Sequence, residues 1–365
     1  MKILHILYSG LGGHGNVFFS IIKADEKKEF EYEAIFAGVE DIREEYVNKS
    51  NYYKVPFNFF KKIKWVDLKY NIKILTTIKV SKSSIIFLHG SRYVILARIA
   101  VFLSKTKKKI IVRETQANHL KRKSEWIFLL LAMFFADKIV FLTDIFKSEV
   151  NQKLGIFYRP DKIIVINNGM DLSFFKPKPK LHSNIIVMGM QSRIVPIKDH
   201  ETLLRAFSIL QTEHPNLLLQ LKIAGDGESL PAIKLLASQL NLNQQVTFTG
   251  MLNELELVDF MQSLDIYIHA SYGETMSTAV MQAMACKLPI IASDVPGINN
   301  MIENGKTGFL VPLQNAKALA DGLYTFIDNP IMAGNMKEAA FDFANNTFSN
   351  VTMFHKYKAI FNSLM

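Results

Sequence analysis

Two short segments of this chain carry residue types suited to chemistry on a phosphate. In 192-SRIVPIKDHETLLRAF, Arg193 and Lys198 lie five residues apart in a loop that leaves a strand and opens a helix. In 269-HASYGETMSTAVMQAMACKLPIIAS, Glu274 holds the equivalent place after another strand, followed by Met276, Ser277 and Thr278. A helix start presents unpaired N–H groups and the positive end of the helix dipole, which attracts phosphate. Two fixed cations neutralise roughly 2 charges, the charge of a diphosphate. A neighbouring carboxylate suits sugar hydroxyls, although an acid at a helix start also serves simply as a dipole partner. Together these residues describe a pocket for a diphosphate-linked sugar.

Rigid elements must position these loops. Strand candidates in the first half are residues 2–9, 32–38, 84–90, 109–115 and 138–144, short runs rich in Ile, Val and Phe that end in polar or glycine turns. Helical candidates between them are Asn16–Ala24, 66–79, Ser91–Leu103, Ser124–Ala136 and Asp144–Leu154. Strict alternation predicts a parallel sheet with helices on both faces. Residues 162–184 change character: a strand ends in Asn167, Asn168 and Gly169, and Pro177 and Pro179 sit among lysines, which reads as a linker. The pattern then restarts, with strands at 184–190, 218–225, 245–250, 265–271, 289–293 and 308–312. Helices are predicted at 199–212, 230–240, 254–263, 276–286, 315–328 and 350–364. The first of these has Asp199 as its cap and places Leu203, Leu204, Phe207 and Leu210 on one face.

Residues 184–311 resemble the donor domain of family 4 of the retaining GT-B glycosyltransferases, of the bacterial surface-polysaccharide type. The features that carry the resemblance come in order: Arg193 and Lys198 in 193-RIVPIK, 224-AGDGE, 246-VTFTG, 269-HASYGE, 283-AMACKLPIIAS and 294-DVPGINNMIENGKTGFLVP. The first half resembles the acceptor domain through 10-GLGGHGN and 167-NNGMD. The resemblance implies an α/β GT-B fold, with two Rossmann-like doubly wound domains facing across a cleft. The acceptor-binding domain would be residues 1–172 and the donor-binding domain 173–348, with a helix at 349–365 crossing back onto the first domain.

It also implies roles. Arg193 and Lys198 would bind the donor diphosphate and Glu274 the donor sugar. Gly225 and Gly227 would approach the nucleoside, and the amides of Met276, Ser277 and Thr278 would hold phosphate. Gly12 and Gly13, with His14 beside them, would form a glycine-rich turn facing the phosphates. Related enzymes often carry a histidine–aspartate pair after the strand that here ends in Arg113 and Glu114; His119 stands in that region and completes the implied catalytic set. Where the family has two glutamates separated by seven residues, this chain has Glu274 and, at that spacing, Gln282, which still accepts a ribose hydroxyl through its amide oxygen but without charge. Thr275, Met276 and Ser277 stand where Gly-Phe-Gly is common.

The chain has no Asp-x-Asp motif. The expected reaction is therefore metal-independent, with no cofactor and a UDP- or GDP-sugar as donor substrate. A hexose or N-acetylhexosamine would pass, with retention, to a glycan or polyprenyl-diphosphate-linked acceptor. The resemblance implies that the leaving phosphate itself takes the acceptor's proton, which would account for the lack of an obvious nucleophile and base.

Composition sets the surroundings. Of the 365 residues, 49% are hydrophobic, and a single cysteine, Cys286, excludes an internal disulfide, which fits a reducing cytosol. Residues 1–175 hold 29 Lys and Arg against 17 Asp and Glu, whereas residues 176–365 hold 14 against 16. The basic half suits an anionic membrane surface or a lipid-linked phosphate, or is simply a solvated face. No aromatic–basic stripe accompanies the charge, so nucleic acid is not an expected partner. The longest apolar run, 126-WIFLLLAMFFA, is well short of the ~20 residues of a membrane span and reads as a core helix, with an interfacial helix as the alternative. The expected location is cytoplasmic, peripheral on the inner membrane face.

Three rivals keep some of these features. A sugar-nucleotide epimerase of the same fold needs no acceptor. A nicotinamide-dependent oxidoreductase needs a full Gly-x-Gly-x-x-Gly, of which 10-GLGGHGN is only part. A non-catalytic nucleotide-sugar binder is consistent with Gln282.

Overall fold

The computed structural model describes residues 1–10, 13–63, 67–116, 118, 121–179 and 183–364. The chain divides into two compact units, Met1–Met170 with Asn350–Met365, and Asp171–Ser349.

The first unit is built from β1 (Lys2–Tyr8), α1 (Gly13–Ala24), β2 (Glu31–Gly38), α2 (Glu44–Tyr52), β3 (Phe57–Lys61), α3 (Leu68–Val80), β4 (Ile85–Leu88), α4 (Val94–Phe102), β5 (Lys109–Arg113), α5 (Lys123–Phe135), β6 (Lys138–Phe141), α6 (Asp144–Leu154) and β7 (Ile163–Val165). Its strands form one parallel sheet in the order β3-β2-β1-β4-β5-β6-β7. The second unit is built from β8 (Ile185–Gln191), α7 (His200–Glu213), β9 (Leu218–Ala224), α8 (Leu230–Gln239), β10 (Val246–Gly250), α9 (Glu254–Ser263), β11 (Ile266–His269), α10 (Thr278–Ala285), β12 (Ile290–Ser293), β13 (Phe309–Val311), α11 (Ala316–Asp328) and α12 (Pro330–Phe348). Its sheet is also parallel, in the order β10-β9-β8-β11-β12-β13. In each sheet the strand order reverses once, between β1 and β4 and between β8 and β11. Open α/β sheets bind ligands beyond the carboxyl ends of strands at such a switch point. The last helix, α13 (Asn350–Ser363), belongs to the first unit. Its Met353, Phe354, Tyr357, Ile360 and Phe361 form a helical stripe buried in the same cluster as Phe18 and Ile21 of α1.

Local sequence explains most boundaries. Asp199 caps α7, accepting from the Thr202 amide at 3.1 Å, and Leu203, Leu204, Phe207 and Leu210 are buried against the sheet. Each such buried side chain contributes roughly 1.5–3 kcal/mol. Three elements depart from the expectation. Strand β3 reads FNFFK and runs half-exposed along the sheet edge, so it lacks the Ile/Val run of an inner strand. Helix α2 buries little beyond Tyr46. Helix α12 turns small residues, Ala333, Ala340 and Ala344, inward, with Met336 and Phe348 as its larger buried side chains. The predicted helix at 276–286 starts two residues later, at Thr278, and Gly13, assigned to a turn, is the first residue of α1.

The core of the first unit holds two histidines. His5 in β1 is wholly buried, stacks on Phe87 with centroids 4.7 Å apart, and places Nδ1 3.0 Å from Nε2 of His89. Burial pushes His5 from the ordinary 6.5 down to about 3, and His89 well below 6.5. A histidine whose folded value is depressed stabilises the fold above its unfolded value and loses that contribution as pH falls toward the folded value. The melting temperature is therefore expected to hold above about pH 6.5 and to fall steadily from there toward about pH 4. A thermal melt series that is flat over this range contradicts the buried neutral pair.

Candidate functional site

The loop that leaves β8 runs from Ser192 to Asp199, and the loop that leaves β11 runs from Ala270 to Ser277. Because β8 and β11 are neighbours in the sheet, these two loops lie side by side. They are joined by backbone contacts: Asp199 N donates to Ala270 O at 3.1 Å, Tyr272 N donates to Ile197 O at 2.9 Å, and Lys198 bridges Ser271. The Ser271 hydroxyl adds a bond to Ile197 O at 3.2 Å.

Within this zipper Lys198 Nζ pairs with Glu274 Oε1, both side chains being largely buried at 12% and 16% exposure. His269 Nε2 lies 3.0 Å from the same oxygen, and Tyr267 Oη lies 3.2 Å from His269 Nδ1. A carboxylate only accepts, so His269 carries its hydrogen on Nε2 and turns a bare Nδ1 toward the Tyr267 hydroxyl, whose hydrogen is shared with Gln191 O at 3.3 Å. Burial keeps His269 neutral by pushing its value well below the ordinary one, with the Lys198 charge acting in the same direction. Burial pushes Lys198 from 10.5 down to about 8, and the charge of Arg193 adds to this. Arg193 itself is exposed, and no ion-pair partner for it occurs among the described residues.

Three glycines fix this geometry by close approach. A Cβ at Gly225 (φ +134°) would overlap the Ser192 carbonyl oxygen, and one at Gly227 (φ +156°) the Ile194 carbonyl oxygen. Ile194 N donates to Asp226 O at 2.9 Å, which fastens the Arg193 loop to the turn after β9. These glycines therefore have a partner inside the protein, the loop that carries Arg193. Gly297 (φ +89°) packs its α-carbon against the backbone of Glu274, where a Cβ would overlap the Glu274 carbonyl oxygen, and Glu274 N donates to Pro296 O at 3.0 Å.

The amides expected to cradle phosphate, those of Met276, Ser277 and Thr278, lie at the start of α10. Ser277 is the cap of α10: its hydroxyl accepts from Val280 N at 3.4 Å, and its own amide lies 3.2 Å from Met301 Sδ. Met276 is buried. The amides of Thr278 and Ala279, the first two of the helix, have no partner within it. The mouth of the helix thus sits further along than the sequence indicated. Gln282 lies one turn inside α10, buried, and its Oε1 meets no hydrogen-bond partner.

The remaining assigned residues are in the first unit. Gly13 and His14 begin α1, and His14 Nε2 lies 3.0 Å from Thr115 Oγ1. Burial pushes His14 down to about 4, with the Arg113 charge adding. Arg113, at the end of β5, is wholly buried and donates from Nη2 to Asn168 Oδ1. Glu114 lies 3.8 Å from Lys121 Nζ. His14 Nδ1 and Glu114 Oε2 are buried without a hydrogen-bond partner. Gly12 and His119 lie outside the described residues. Among the described residues no group of three or more His, Cys, Asp or Glu side chains is placed to hold a metal ion.

His269, Tyr267 and Gly297 are functional-site residues that sequence reasoning passed over. The one available signal was the i, i+2 spacing of Tyr267 and His269, which puts both on one face of β11.

Residues 172–343 match the family described as glycosyl transferases group 1. That match spans almost the whole of the second unit. Among relatives, the chain is 26% identical over 226 residues to a D-inositol 3-phosphate glycosyltransferase of Thermobispora bispora, covering 56% of this chain and 52% of that protein. It is 31% identical over 205 residues to an uncharacterized glycosyltransferase of Haemophilus influenzae, covering 55% and 54%. The chain thus spans about half the length of the curated relatives it matches. The fold is that of HepE from Anabaena, solved with UDP and glucose (TM-score 0.82, 20% identity, all of both chains), and of a glycosyltransferase from Rickettsia africae (TM-score 0.84, 21% identity, 100% and 98%). These likenesses establish the two-unit, doubly wound GT-B architecture.

Gly297→Ala tests the packing that holds Glu274. The substitution forces a Cβ into a left-handed conformation and against a carbonyl, so about 1–3 kcal/mol of stability should be lost. Urea unfolding measures this, and a variant as stable as the parent would show that the turn does not clamp Glu274.

Proposed function

We propose that this protein transfers a hexose or N-acetylhexosamine, with retention and without a metal, from a nucleotide diphosphate sugar to a lipid-linked glycan acceptor in cell-surface polysaccharide synthesis. The observation that carries the reading is the joining of Lys198, Glu274 and His269 in one contact set beside the mouth of α10. Breaking the anomeric C–O bond builds charge on the departing diphosphate. Arg193 and Lys198 stabilise that charge where it develops. Lys198 is suited to this because burial has made its ammonium costly to keep, so an arriving anion gains more from it than from a solvated lysine. Glu274, oriented by His269, grips a hydroxyl of the donor sugar. Gln282 Oε1, buried and unpaired, accepts from a ribose hydroxyl. The family domain supports nucleotide-sugar chemistry, and the UDP complex of HepE makes UDP-sugars the first donors to try, ahead of GDP-sugars.

A second acceptor reading rests on the first unit. Buried Arg113, with His14 nearby, fits an anionic acceptor group, and relatives bear the name D-inositol 3-phosphate glycosyltransferase. Both acceptors belong in one experiment: UDP-, GDP- and dTDP-sugars offered with membrane lipid extract or with inositol phosphate, with and without EDTA, and products read by mass spectrometry. Transfer to a lipid product that survives EDTA is expected. Release of an altered sugar nucleotide without any acceptor would establish an epimerase instead.

Arg193→Ala and Lys198→Ala should each slow transfer by about 100-fold, the usual loss for one electrostatic contact to a developing anion. Unchanged turnover in both would remove the phosphate site. Gln282→Glu should tighten donor binding in calorimetry, and equal or weaker binding would take the ribose role away from position 282.

A further inference from the structure

Residues 68–113 contain eleven Lys and Arg and no Asp or Glu. Three of these cations are engaged by the fold. Arg113 is buried beside Asn168, Lys108 donates to the carbonyl oxygens of Ser81 and Ser83, and Lys109 pairs with Asp137 at 3.0 Å. Lys69, Lys73, Arg92 and Arg98 are exposed instead. Of the acids that flank the stretch, Asp67 accepts from the Tyr70 amide at the start of α3, and Glu114 is buried 3.8 Å from Lys121 Nζ.

Helices α3, α4 and α5 lie side by side on one face of the first sheet. Ile74 and Ile78, Ala97 and Ala100, and Leu129 and Ala132 are buried in a single cluster against it. The outward sides of the same helices are apolar again. Ile95, Ile99 and Phe102 recur at i, i+4 and i+7 on α4, opposite the buried alanines, and Phe102 is 85% exposed. Leu68 and Ile72 of α3 and Ile127 of α5 extend this surface on either side. Single exposed apolar residues are ordinary, but a run of them across three adjacent helices marks an interaction surface. No helix among the described residues is long and apolar enough to cross a membrane, so the surface would lie on a bilayer, not in it.

We propose that this face of the first unit docks on an anionic lipid bilayer. Ile95, Ile99 and Phe102 sink among the headgroups, and Lys69, Lys73, Arg92 and Arg98 meet the lipid phosphates. Charge complementarity selects this occupant: a second copy of the chain would set the same exposed Lys69, Lys73, Arg92 and Arg98 against one another, with no acid on α3 or α4 to pair them. The proposal deepens the reading of a membrane-borne acceptor, yet docking itself requires neither donor nor catalysis.

Vesicle flotation tests it with the whole protein and no substrate. Vesicles of phosphatidylglycerol in phosphatidylcholine should carry the protein, pure phosphatidylcholine vesicles should not, and added salt should release it. Lys69→Ala with Lys73→Ala should weaken binding about 30-fold, two cations at an anionic surface. Ile99→Ser with Phe102→Ser should weaken it separately, whereas Lys234→Ala in the second unit should not. All of these positions are exposed, and thermal melts confirm that the variants fold. Binding that ignores phosphatidylglycerol, binding unchanged in both variants, or a dimer that Phe102→Ser dissociates would overturn the proposal. Transfer to a detergent-solubilised acceptor is scored in parallel: its loss with vesicle binding intact counts against the catalytic reading alone.

Discussion

The contact between Lys198 and Glu274 is the constraint around which the second unit is arranged. Bringing two charges out of water is costly, and the attraction between them repays the cost only when geometry and hydrogen bonding are good. Here the supporting bonds come from outside the pair. His269 donates to the carboxylate, Tyr267 lies against the other ring nitrogen of His269, and the paired loops hold both backbones. Both contacts of the carboxylate fall on Oε1. Among the described residues Oε2 has no hydrogen-bond or ion-pair partner, and in the proposed reaction it is the oxygen that receives a sugar hydroxyl.

That arrangement follows from sheet order more than from chain order. Lys198 and Glu274 are separated by three intervening helices, yet β8 and β11 are adjacent because the sheet reverses direction there. The loops from adjacent parallel strands leave the same edge in register, which allows the antiparallel bridge between Lys198 and Ser271. Glycine then sets how closely further loops approach. Gly225 and Gly227 admit the Arg193 loop, and Gly297 admits the backbone of Glu274. A side chain at any of these positions would push a charged residue out of place without touching it, the manner in which a supporting shell controls a site.

Much of this was legible in the sequence. The alternation of short Ile- and Val-rich runs with helical stretches specified two parallel sheets, because such strands are buried on both faces and carry their signal locally. Arg193, Lys198 and Glu274 were legible because each follows a strand and precedes a helix. The rest depends on distant partners. His269 lies within a short apolar strand run, and nothing local marks its contact with an acid five residues on that folds back over it. The need for glycine at 225 has a cause that no local pattern shows: a carbonyl more than thirty residues earlier occupies the space its Cβ would need. Strand β3 and helices α2 and α12 escaped because their burial is slight or is made by alanine, which leaves little hydrophobic period to detect.

The two units also treat their surfaces differently, and the difference bears on what each surface meets. In the second unit exposed cations sit beside acids: Arg205 pairs with Glu201 one turn away at 2.9 Å, and Lys317 reaches both Asp321 and Glu213. Such pairs at i, i+4 are how a helix face adds charge for solubility while cancelling its own field. Helices α3 and α4 of the first unit contain no acid, so none of their cations is cancelled in this way, and large aliphatic and aromatic side chains stand between them. A face shaped only by solvation gains nothing from Phe102 and loses stability from uncancelled repulsion. Both features become favourable together at a surface that is negative at its boundary and apolar just beneath it, which is the structure of a lipid leaflet.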